Sequence, residues 1–489
     1  MNKQISHLGI VAIVLLAALI VGTTYWQTWA NAGLADRQDN EIRLVAQFSV
    51  KRGKIFAADG TTLLATNVAR HVSGQTLYFR RYPSGPLFAH VVGYSTQTRN
   101  QTGLEQSYND FLTASNSNLD TVFHATIDKL KGSTVTGNNL ILSIRAGAQA
   151  LALRLLQGKC GAVVALNPTT GAVLTMVSSP SYNPNLIERH FQQALRSGGT
   201  CGALVNRAVA GKYQPGSSFK VVTATAALDT GKFTPNSPFY DPGYCVEYGK
   251  EVRNAGNPEA PETFGNVTLF LGLEHSINSV FCNVGKALGA GPILEYARRF
   301  GFYKLPPVGL PDTEMAASGL YDKGRLFWPK HPDTQVDPGR LAFGQERLQV
   351  TPLQMAMVAA TVANNGVLVR PYLVQRVVSP GGKTVTAAHP HVIARVMKPQ
   401  TASELNAMMQ AVVTGGTGTA AQISGIPVAG KTGTAETGRG NIYTAWFIAF
   451  APADHPKVAV AVVVENQPGG FGGVVAAPIA KQVMEALLK

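Results

Sequence analysis

The stretch Tyr213-Gln214-Pro215-Gly216-Ser217-Ser218-Phe219-Lys220 carries the strongest chemical signal in this 489-residue chain. A Pro-Gly turn leads into residues 219–228, whose composition predicts a helix. Ser217 and Lys220 are three residues apart, and on a helix this spacing places both side chains on one face. A serine hydroxyl needs a base before it attacks a carbonyl, and a lysine kept neutral by burial and nearby cations serves as one. The pair alone is a weak signal, since Ser-x-x-Lys also occurs in helices as a solvated pair.

Two further elements follow along the chain. Ser276-Ile277-Asn278 lies in a predicted helix or at its start, and it offers a hydroxyl and an amide two residues apart. Lys431-Thr432-Gly433-Thr434 offers a cation for a carboxylate, a glycine that permits close backbone approach, and a strand-edge N–H at Thr434 for an oxyanion. Neither element is specific by itself, but together with Ser217 and Lys220 they describe a site for acyl transfer to a serine.

The segments on either side of these elements predict the fold. Apolar, β-branched runs occur in two pairs, each joined by a short segment that contains Pro. Helical composition precedes the first pair and follows the second. We therefore expect one discontinuous α+β domain, an antiparallel sheet flanked by helices, whose sheet is completed by the C-terminus. The strand-like runs are 160–166, 172–177, 443–451 and 458–465, and the helical segments at the two ends are 148–156 and 476–488.

An accessory unit is predicted between residues 48 and 142, where short apolar runs are broken by Gly, Pro, Asn and Thr. Residues 52–56, a turn at Asp59-Gly60 and residues 62–65 have the pattern of a strand, a turn and a second strand. We expect a mostly β module. It contains no visible catalytic constellation.

Composition restricts the function classes. Hydrophobic residues make up 45% of the chain and charged residues 14%, as in packed globular proteins, and the length implies more than one folded unit. A formal net charge of +14 suits an anionic membrane face, an anionic wall polymer or nucleic acid. The basic residues are spread along the chain and no zinc-finger spacing occurs, so we expect no nucleic-acid partner.

The N-terminus has the pattern of a membrane segment. Residues 8–22 are uninterrupted apolar or small residues, and with Tyr25, Trp26 and Trp29 the segment reaches the ~20 residues that span a bilayer. We expect a cytoplasmic tail at 1–7, a transmembrane anchor at 8–29, and the rest of the chain outside the cytoplasm. A cleaved signal peptide is the alternative, because Ala30-Asn31-Ala32 fits the small-x-small cleavage pattern.

The four cysteines all follow this segment, where an oxidising compartment permits two disulfides in three possible pairings. Sequence proximity favours Cys160 with Cys201 and Cys245 with Cys282, and buried free thiols are the alternative. Their spacing does not resemble a zinc site. No phosphate loop, dinucleotide fingerprint or metal-ligand spacing is present, so we expect no cofactor and no metal.

In order and domain context, Ser-x-x-Lys, Ser-x-Asn and Lys-Thr-Gly resemble the motifs of penicillin-binding proteins and serine β-lactamases. The chain as a whole resembles class B penicillin-binding proteins, and among them the compact actinobacterial members. The resemblance implies a pedestal domain at 30–145 and a transpeptidase domain at 146–489. Further stretches that carry it are Pro180 to Asn185, Asn206-Arg207-Ala208, Gly344-Gln345, Thr351-Pro352-Leu353-Gln354, and, in the pedestal, Arg52-Gly53-Lys54-Ile55 and Gly103-Leu104-Glu105.

The resemblance implies a peptidoglycan D,D-transpeptidase. Ser217 would attack the penultimate D-Ala carbonyl of a stem pentapeptide, with Lys220 as the general base. Ser276 would relay the proton to the leaving D-Ala, and Asn278 would hold the peptide or Lys220. An amine from a neighbouring stem would then resolve the acyl-enzyme, and β-lactam antibiotics would acylate Ser217.

The resemblance also implies a binding site and a partner. The terminal carboxylate would bind at Lys431, Thr432, Gly433 and Thr434, and the backbone N–H groups of Ser217 and Thr434 would form the oxyanion hole. The pedestal and the anchor would contact a polytopic membrane glycan polymerase.

There are three alternatives to a transpeptidase: a β-lactamase, a D,D-carboxypeptidase and a non-catalytic protein. The middle motif is Ser-Ile-Asn rather than Ser-Asp-Asn, and no glutamate is identifiable as a deacylating base, which disfavours a β-lactamase. A D,D-carboxypeptidase uses the same acyl-enzyme and differs only in that water resolves it. A non-catalytic wall-binding scaffold or β-lactam sensor is disfavoured by the intact Ser217, Lys220 and Lys431.

Overall fold

The computed structural model describes residues 2–25, 48–72, 74–97, 99–115, 134–257, 260–438 and 440–489. The predictions that concern Trp26, Trp29 and the motif at 30–32 lie outside these residues. Within the described part, the helices are α1 Asn2–Tyr25, α2 Ala89–Val92, α3 Gly103–Ser107, α4 Asn109–Leu112, α5 Ala146–Leu155, α6 Phe191–Arg196, α7 Lys220–Asp229, α8 Leu269–Glu274, α9 Asn278–Leu288, α10 Ala290–Arg299, α11 Pro332–Gln335, α12 Pro338–Ala342, α13 Pro352–Ala363, α14 Pro399–Thr414, α15 Gly472–Val475 and α16 Ala477–Leu488.

The strands in the described residues are β1 Ile55–Phe56, β2 Leu63–Val72, β3 Gln75–Arg81, β4 Asn139–Leu142, β5 Gly161–Leu166, β6 Val173–Ser179, β7 Pro238–Asp241, β8 Tyr244–Glu247, β9 Lys250–Arg253, β10 Gly256–Asn257, β11 Ala260–Pro261, β12 Gly265–Thr268, β13 Gly319–Asp322, β14 Arg325–Leu326, β15 Leu348–Gln349, β16 Val367–Val369, β17 Val374–Val378, β18 Thr384–Ala387, β19 Val392–Arg395, β20 Ala429–Glu436, β21 Ile442–Ala451 and β22 Val458–Pro468. The longest strands in the described residues are β2 near the N-terminus and β21 and β22 near the C-terminus.

Five antiparallel strands form the central sheet, in the order β20-β21-β22-β5-β6. Successive residues of a strand point to opposite faces, and here both faces are buried. Val163 packs in one hydrophobic cluster with α5 and α16, and Val164 packs in another with α13. Because helices cover both faces, the inner strands β5, β21 and β22 consist mostly of continuous apolar residues, whereas the edge strand β20 carries the polar third motif. The predicted hairpin, and the predicted return of the C-terminal strands to the same sheet, are confirmed.

Helix α13 lies at the centre of the larger cluster, and all its residues are buried. It begins at the segment 351–354 that the sequence analysis singled out. Thr351 accepts a hydrogen bond from Gln354 N, and Pro352 occupies the first helical position, where no N–H is needed. The Gln354 side chain donates to Phe300 O at 2.8 Å, which attaches the end of α10 to the helix start.

A second sheet, in the order β18-β17-β4-β1-β2-β3, builds the accessory unit. The predicted strand pair at its start is present as β1 and β2. The sheet is not made from one contiguous segment, because β17 and β18 follow α13 in the chain and β17 pairs with β4. Main-chain hydrogen bonds therefore join the accessory unit to the part of the chain that carries the three motifs.

A buried ion cluster holds the accessory unit together. Glu105 Oε2 lies 2.9 Å from Arg52 Nη2, and Glu105 Oε1 lies 2.6 Å from Arg80 Nε, with all three side chains buried. Burial alone would raise the pKa of Glu105, but the two guanidinium groups hold that pKa below its ordinary value. Tyr82 adds a hydroxyl donor to the same carboxylate at 3.4 Å. The Arg52 and Glu105 motifs of the sequence are thus two parts of one cluster.

The neighbouring Gly103 ties this cluster to the other unit. Its N–H donates to the carboxylate of Glu314, at 2.9 and 3.1 Å from the two oxygens. Burial raises the pKa of Glu314. The two units are therefore linked by a side chain as well as by the β4–β17 ladder.

The cysteines are bonded as Cys160–Cys201 and Cys245–Cys282, the pairs that sequence proximity favours. The first disulfide joins the start of β5 to residue 201, and the second joins β8 to α9. Cys245, Glu247 and Cys282 form the one group with metal-ligand spacing among the described residues, and the disulfide leaves it no thiolate. In the same part of the chain, no helix is long and apolar enough to cross a membrane.

The buried ion cluster generates a stability prediction. Replacing Glu105 by Gln leaves two buried guanidinium groups without a counter-charge, and we expect the free energy of unfolding to fall by about 3–5 kcal/mol. Denaturant unfolding of residues 35–489 measures this. The matched control is Glu295→Gln, which removes a carboxylate paired with Arg298 at 2.9 Å on the surface, where a loss below about 1 kcal/mol is expected. Equal losses in the two variants would contradict the role assigned to the cluster.

Candidate active site

The site is built around a tight turn that precedes α7. Residues Gly216–Phe219 form a short 3₁₀ helix, which continues directly into α7. The N–H groups of Gly216 and Ser218 donate to Gly344 O and Pro215 O. Within the described residues the Ser217 N–H has no acceptor, as expected for the unpaired donors of a helix start. The turn therefore presents the half-buried Ser217 together with a free backbone donor.

The local conformation of the Ser-x-x-Lys pair differs from the expected α-helix, but the two side chains still lie on the same side. Ser217 lies in the 3₁₀ turn and Lys220 is the first residue of α7, so the pair is not within one α-helix. In a 3₁₀ helix the side chains at i and i+3 eclipse each other. Ser217 and Lys220 are thus still directed to the same side.

The amine of Lys220 is fully buried among groups of the second motif. Its Nζ lies 2.6 Å from Ser276 O, 3.3 Å from Ser276 Oγ and 2.8 Å from Asn278 Oδ1. The Phe281 ring lies on another side, with its centroid 5.3 Å from Nζ. The first and second motifs therefore meet at this amine.

The backbone of Ser276 makes that meeting possible. Its φ is 60°, in the left-handed region that residues other than glycine seldom adopt. In this conformation its carbonyl contacts Lys220 while its Oγ lies 2.8 Å from Lys431 Nζ. Asn278 follows as the first residue of α9, at the helix start that the sequence allowed.

Lys431 brings in the third motif from β20, an edge strand of the central sheet. Besides Ser276 Oγ, its Nζ contacts Thr432 O at 3.0 Å and Thr432 Oγ1 at 3.4 Å. Ser276 Oγ is thus within hydrogen-bonding distance of both lysines. One hydroxyl connects the three motifs.

The two lysines determine the electrostatics. Burial lowers the pKa of Lys220 well below its ordinary value, and the positive charge of Lys431 lowers it further. Burial also lowers the pKa of Lys431, from 10.5 to about 7. Among the described residues, no carboxylate contributes to either shift. Both shifts favour the neutral amine, and the neutral form of Lys220 is favoured additionally by the positive charge of Lys431.

Two glycines allow β20 to contact the Ser217 turn. A Cβ added at Gly433 would lie 2.7 Å from Pro215 O and 3.0 Å from Ser218 N, and one added at Gly216 would lie 2.4 Å from Thr434 O. Such distances are too short for a real side chain. The close backbone approach predicted for Gly433 is thus, in the structure, an approach to the turn that carries Ser217.

Several neighbours of the site carry no motif. Thr417 Oγ1 lies 2.7 Å from Thr432 Oγ1, and Trp446 Nε1 donates to Gln214 O at 3.0 Å. The first contact holds the hydroxyl of Thr432, and the second attaches β21 to the segment before Ser217. Only the glycines on either side of Thr417 mark its position in the sequence, and nothing local marks Trp446.

Family models match most of the chain. That of the penicillin binding protein transpeptidase domain matches residues 161–485, and that of the penicillin binding protein A dimerisation domain matches residues 52–140. The chain is 34% identical to the peptidoglycan D,D-transpeptidase PbpA of Mycolicibacterium smegmatis, over 100% of this chain and 99% of the relative. It is 30% identical to the peptidoglycan D,D-transpeptidase FtsI of Escherichia coli strain K12, over 84% and 67%.

Two solved structures of penicillin-binding proteins are similar to this chain over about nine tenths of its length. Penicillin-binding protein A from M. tuberculosis, as a ceftriaxone acyl-enzyme complex, superposes with a TM-score of 0.81 at 32% identity, covering 91% of this chain and 100% of the other. Penicillin-binding protein 3 from the same organism, complexed with aztreonam, superposes with a TM-score of 0.73 at 26% identity, covering 90% and 96%.

The buried lysines imply that the site lowers the stability of the fold. The pKa of Lys431 falls from 10.5 to about 7 on folding. Above pH 10.5 the lysine is neutral in the folded and the unfolded chain, and this shift costs no folding free energy. As the pH falls the cost grows, and it reaches its full value below about pH 7. Lys431→Met should therefore raise the free energy of unfolding, by on the order of 2 kcal/mol at pH 7 and by less at pH 9.5. Unfolding at the two pH values measures this, with the exposed Lys457→Met as a control that shows no gain. A Lys431→Met protein less stable than wild type at both pH values would disprove it.

Proposed function

The chain belongs to the penicillin-binding protein transpeptidases, and from that membership we propose that it is a peptidoglycan D,D-transpeptidase that works through an acyl-enzyme on Ser217. The observation that carries the proposal is the buried amine of Lys220, which contacts the second motif and whose pKa is held well below its ordinary value by burial and by Lys431. A neutral lysine accepts the proton that a serine hydroxyl must lose as it attacks.

The hydrogen bonds of Lys220 support its role as the base. A neutral amine has two N–H groups and one lone pair. The acceptors Ser276 O and Asn278 Oδ1, at 2.6 and 2.8 Å, can take the two N–H groups. The contact with Ser276 Oγ is longer, at 3.3 Å, and we propose that the lone pair turns to Ser217 Oγ when substrate is bound. No hydrogen bond joins Ser217 Oγ and Lys220 Nζ among the described residues, and such catalytic contacts often tighten only when substrate is bound.

Ser276 is suited to pass the proton onward. Its hydroxyl lies between the two lysines, 3.3 Å from Lys220 Nζ and 2.8 Å from Lys431 Nζ. After Ser217 has attacked the penultimate D-Ala carbonyl, the proton moves from Lys220 through Ser276 to the amine of the leaving D-Ala. The C–N bond breaks, and the acyl group remains on Ser217 Oγ.

The charge of Lys431 and the hydroxyls beside it form the proposed carboxylate site. A bound carboxylate favours the protonated form of Lys431, so substrate binding raises the pKa of this lysine from about 7. Thr432, Gly433 and Thr434 complete the site on β20. The backbone N–H groups of Ser217 and Thr434 form the oxyanion hole, in which each donor contributes about 3 kcal/mol to the transition state.

β-Lactams are proposed inhibitors because they offer the same chemistry, a reactive carbonyl next to a carboxylate. The similar penicillin-binding protein A of M. tuberculosis was solved as a ceftriaxone acyl-enzyme complex. In this chain the acyl bond would form at Ser217 Oγ, with the drug carboxylate at Lys431. A non-catalytic scaffold would not need a buried lysine whose pKa is lowered at a cost in stability.

Location and organisation are part of the proposal. Two disulfides suit an oxidising, extracytoplasmic compartment. An anchor at 8–29, after a cytoplasmic tail at 1–7, is supported by the apolar run and by the large apolar side chains that α1 exposes, such as Ile13 and Leu19. The pedestal at 30–145 and the transpeptidase domain at 146–489 are supported by the two family matches. We propose a polytopic membrane glycan polymerase as the partner of the pedestal and the anchor.

The nucleophile is tested by intact-mass spectrometry of residues 35–489 incubated with benzylpenicillin. We expect a stable adduct of one drug mass on wild type and none on Ser217→Ala. Ser218→Ala is the matched control, because its hydroxyl is buried, donates to Pro215 O at 2.8 Å and has no proposed role in the chemistry. This control should form the adduct. An adduct that persists in Ser217→Ala would place the nucleophile elsewhere.

The second half of the reaction separates the proposed activity from its alternatives. A D-alanyl thioester donor is incubated with the protein, with and without a D-amino acid acceptor. A transpeptidase transfers the acyl group to the acceptor, whereas a carboxypeptidase gives only the hydrolysed acid. Rapid release of hydrolysed benzylpenicillin from wild type would instead indicate a β-lactamase.

A further inference from the structure

A buried carboxylate lies behind the second motif and takes no part in the mechanism above. Asp241, at the end of β7, is 1% exposed. Its oxygens accept hydrogen bonds from Gly243 N at 2.9 Å, Phe264 N at 3.0 Å and Asn254 Nδ2 at 2.8 and 3.0 Å, and from the hydroxyl of Ser279. No cation is paired with it among the described residues. Donors from four chain segments thus satisfy one charge.

Asn254 extends this network to the start of α9. While its Nδ2 donates to Asp241, its Oδ1 accepts from Ser279 N at 3.0 Å. Ser279 is fully buried and follows Asn278 directly. Both the main-chain N–H and the hydroxyl of Ser279 are therefore held, the first by Asn254 and the second by Asp241.

The residue before Asn254 fixes the amide of Asn278. Asn278 Nδ2 donates to Arg253 O at 2.9 Å, and this contact directs Oδ1 of the same amide to Lys220 Nζ, 2.8 Å away. The β8–β9 hairpin that ends at Arg253 is also attached to α9 by the Cys245–Cys282 disulfide. The hairpin, the start of α9 and the amine of Lys220 thus form one connected unit.

We infer that Asp241 and Asn254 are positioning residues for the acylation step. They hold the β8–β9 hairpin and the first turn of α9 in the relative position that brings Asn278 Oδ1 to Lys220 Nζ. The inference rests on the proposed function. Neither residue contacts the reacting atoms. Their effect passes through Arg253 O and Ser279 to Asn278.

The chemistry of Lys220 explains why this register matters. If Asn278 turns away, one N–H of the neutral amine loses its acceptor, and the amine can rotate so that its lone pair no longer faces Ser217 Oγ. Such a misorientation of the Lys220 amine slows proton transfer from Ser217. It leaves the carboxylate site at Lys431 and Thr432 intact, so substrate binding is unaffected.

Asp241→Asn tests the inference, since it keeps the shape but replaces one acceptor oxygen by a donor that faces other donors. The measurement is kcat and KM for a D-alanyl thioester, with saturating D-alanine as the acceptor so that acylation limits the rate. We expect kcat to fall roughly tenfold or more, with KM within about twofold of wild type. Non-reducing buffer keeps the Cys245–Cys282 disulfide intact.

The matched control is Asp229→Asn at the other end of α7. Asp229 is also a buried carboxylate that accepts from several donors: Tyr296 Oη at 2.7 Å, Lys398 N at 2.7 Å and Thr401 Oγ1 at 2.8 Å. Among the described residues, it makes no hydrogen bond to Asn278, Ser279 or the β8–β9 hairpin. We expect this variant to lose stability and to keep the wild-type kcat. An equal fall of kcat in both variants, or no fall in Asp241→Asn, overturns the inference.

A milder variant decides the matter if Asp241→Asn does not fold. Ser279→Ala removes only the hydroxyl donor to Asp241 and keeps the main-chain contact to Asn254. A fall in kcat at unchanged KM and unchanged melting temperature supports the inference, and an unchanged kcat overturns it. Failure of the proposed function is a separate result, because wild type itself would then show no turnover of the thioester and no penicillin adduct.

Discussion

The site depends on two buried lysines that share the hydroxyl of Ser276. Ser276 Oγ lies 2.8 Å from Lys431 Nζ and 3.3 Å from Lys220 Nζ, and no carboxylate offsets either ammonium among the described residues. Such a pair cannot be fully charged without a large energetic cost. The neutral form of one lysine is therefore favoured, as the proposed role of Lys220 as a base requires, while the proposed carboxylate site needs the charge of the other, Lys431. The stability of the rest of the fold offsets the free-energy cost of burying the two lysines side by side.

The architecture provides this support through main-chain contacts. The edge strand β20 carries Lys431, the helix α7 carries Lys220, and the left-handed residue Ser276 joins α8 to α9. Gly433 and Gly216 let β20 and the turn before α7 touch. Because these elements belong to one packed core, the distances among the three motifs are set by the fold rather than by flexible loops.

Local patterns predicted much of this arrangement. The β-branched runs predicted the strands of the central sheet, and the order of the motifs predicted a serine acyltransferase site that gathers Ser217, Ser276 and Lys431. Three features could not be predicted. Ser276 contacts two lysines that are distant in the chain, Asp241 accepts hydrogen bonds from segments that carry no predicted role, and the pairing of β17 with β4 joins segments far apart in the chain. Each is a long-range contact, and composition and spacing report only on near neighbours in sequence.

The central claim is that the pKa of Lys220 lies well below that of an ordinary lysine because the amine is buried beside a second lysine. An NMR titration of the protein labelled with ¹³C at lysine Cε measures this directly, with the Lys220 signal assigned through Lys220→Arg. The account predicts a pKa for Lys220 well below the ordinary 10.5, which rises when Lys431 is replaced by methionine. A Lys220 pKa near 10.5, or one that does not respond to the loss of Lys431, would contradict the account.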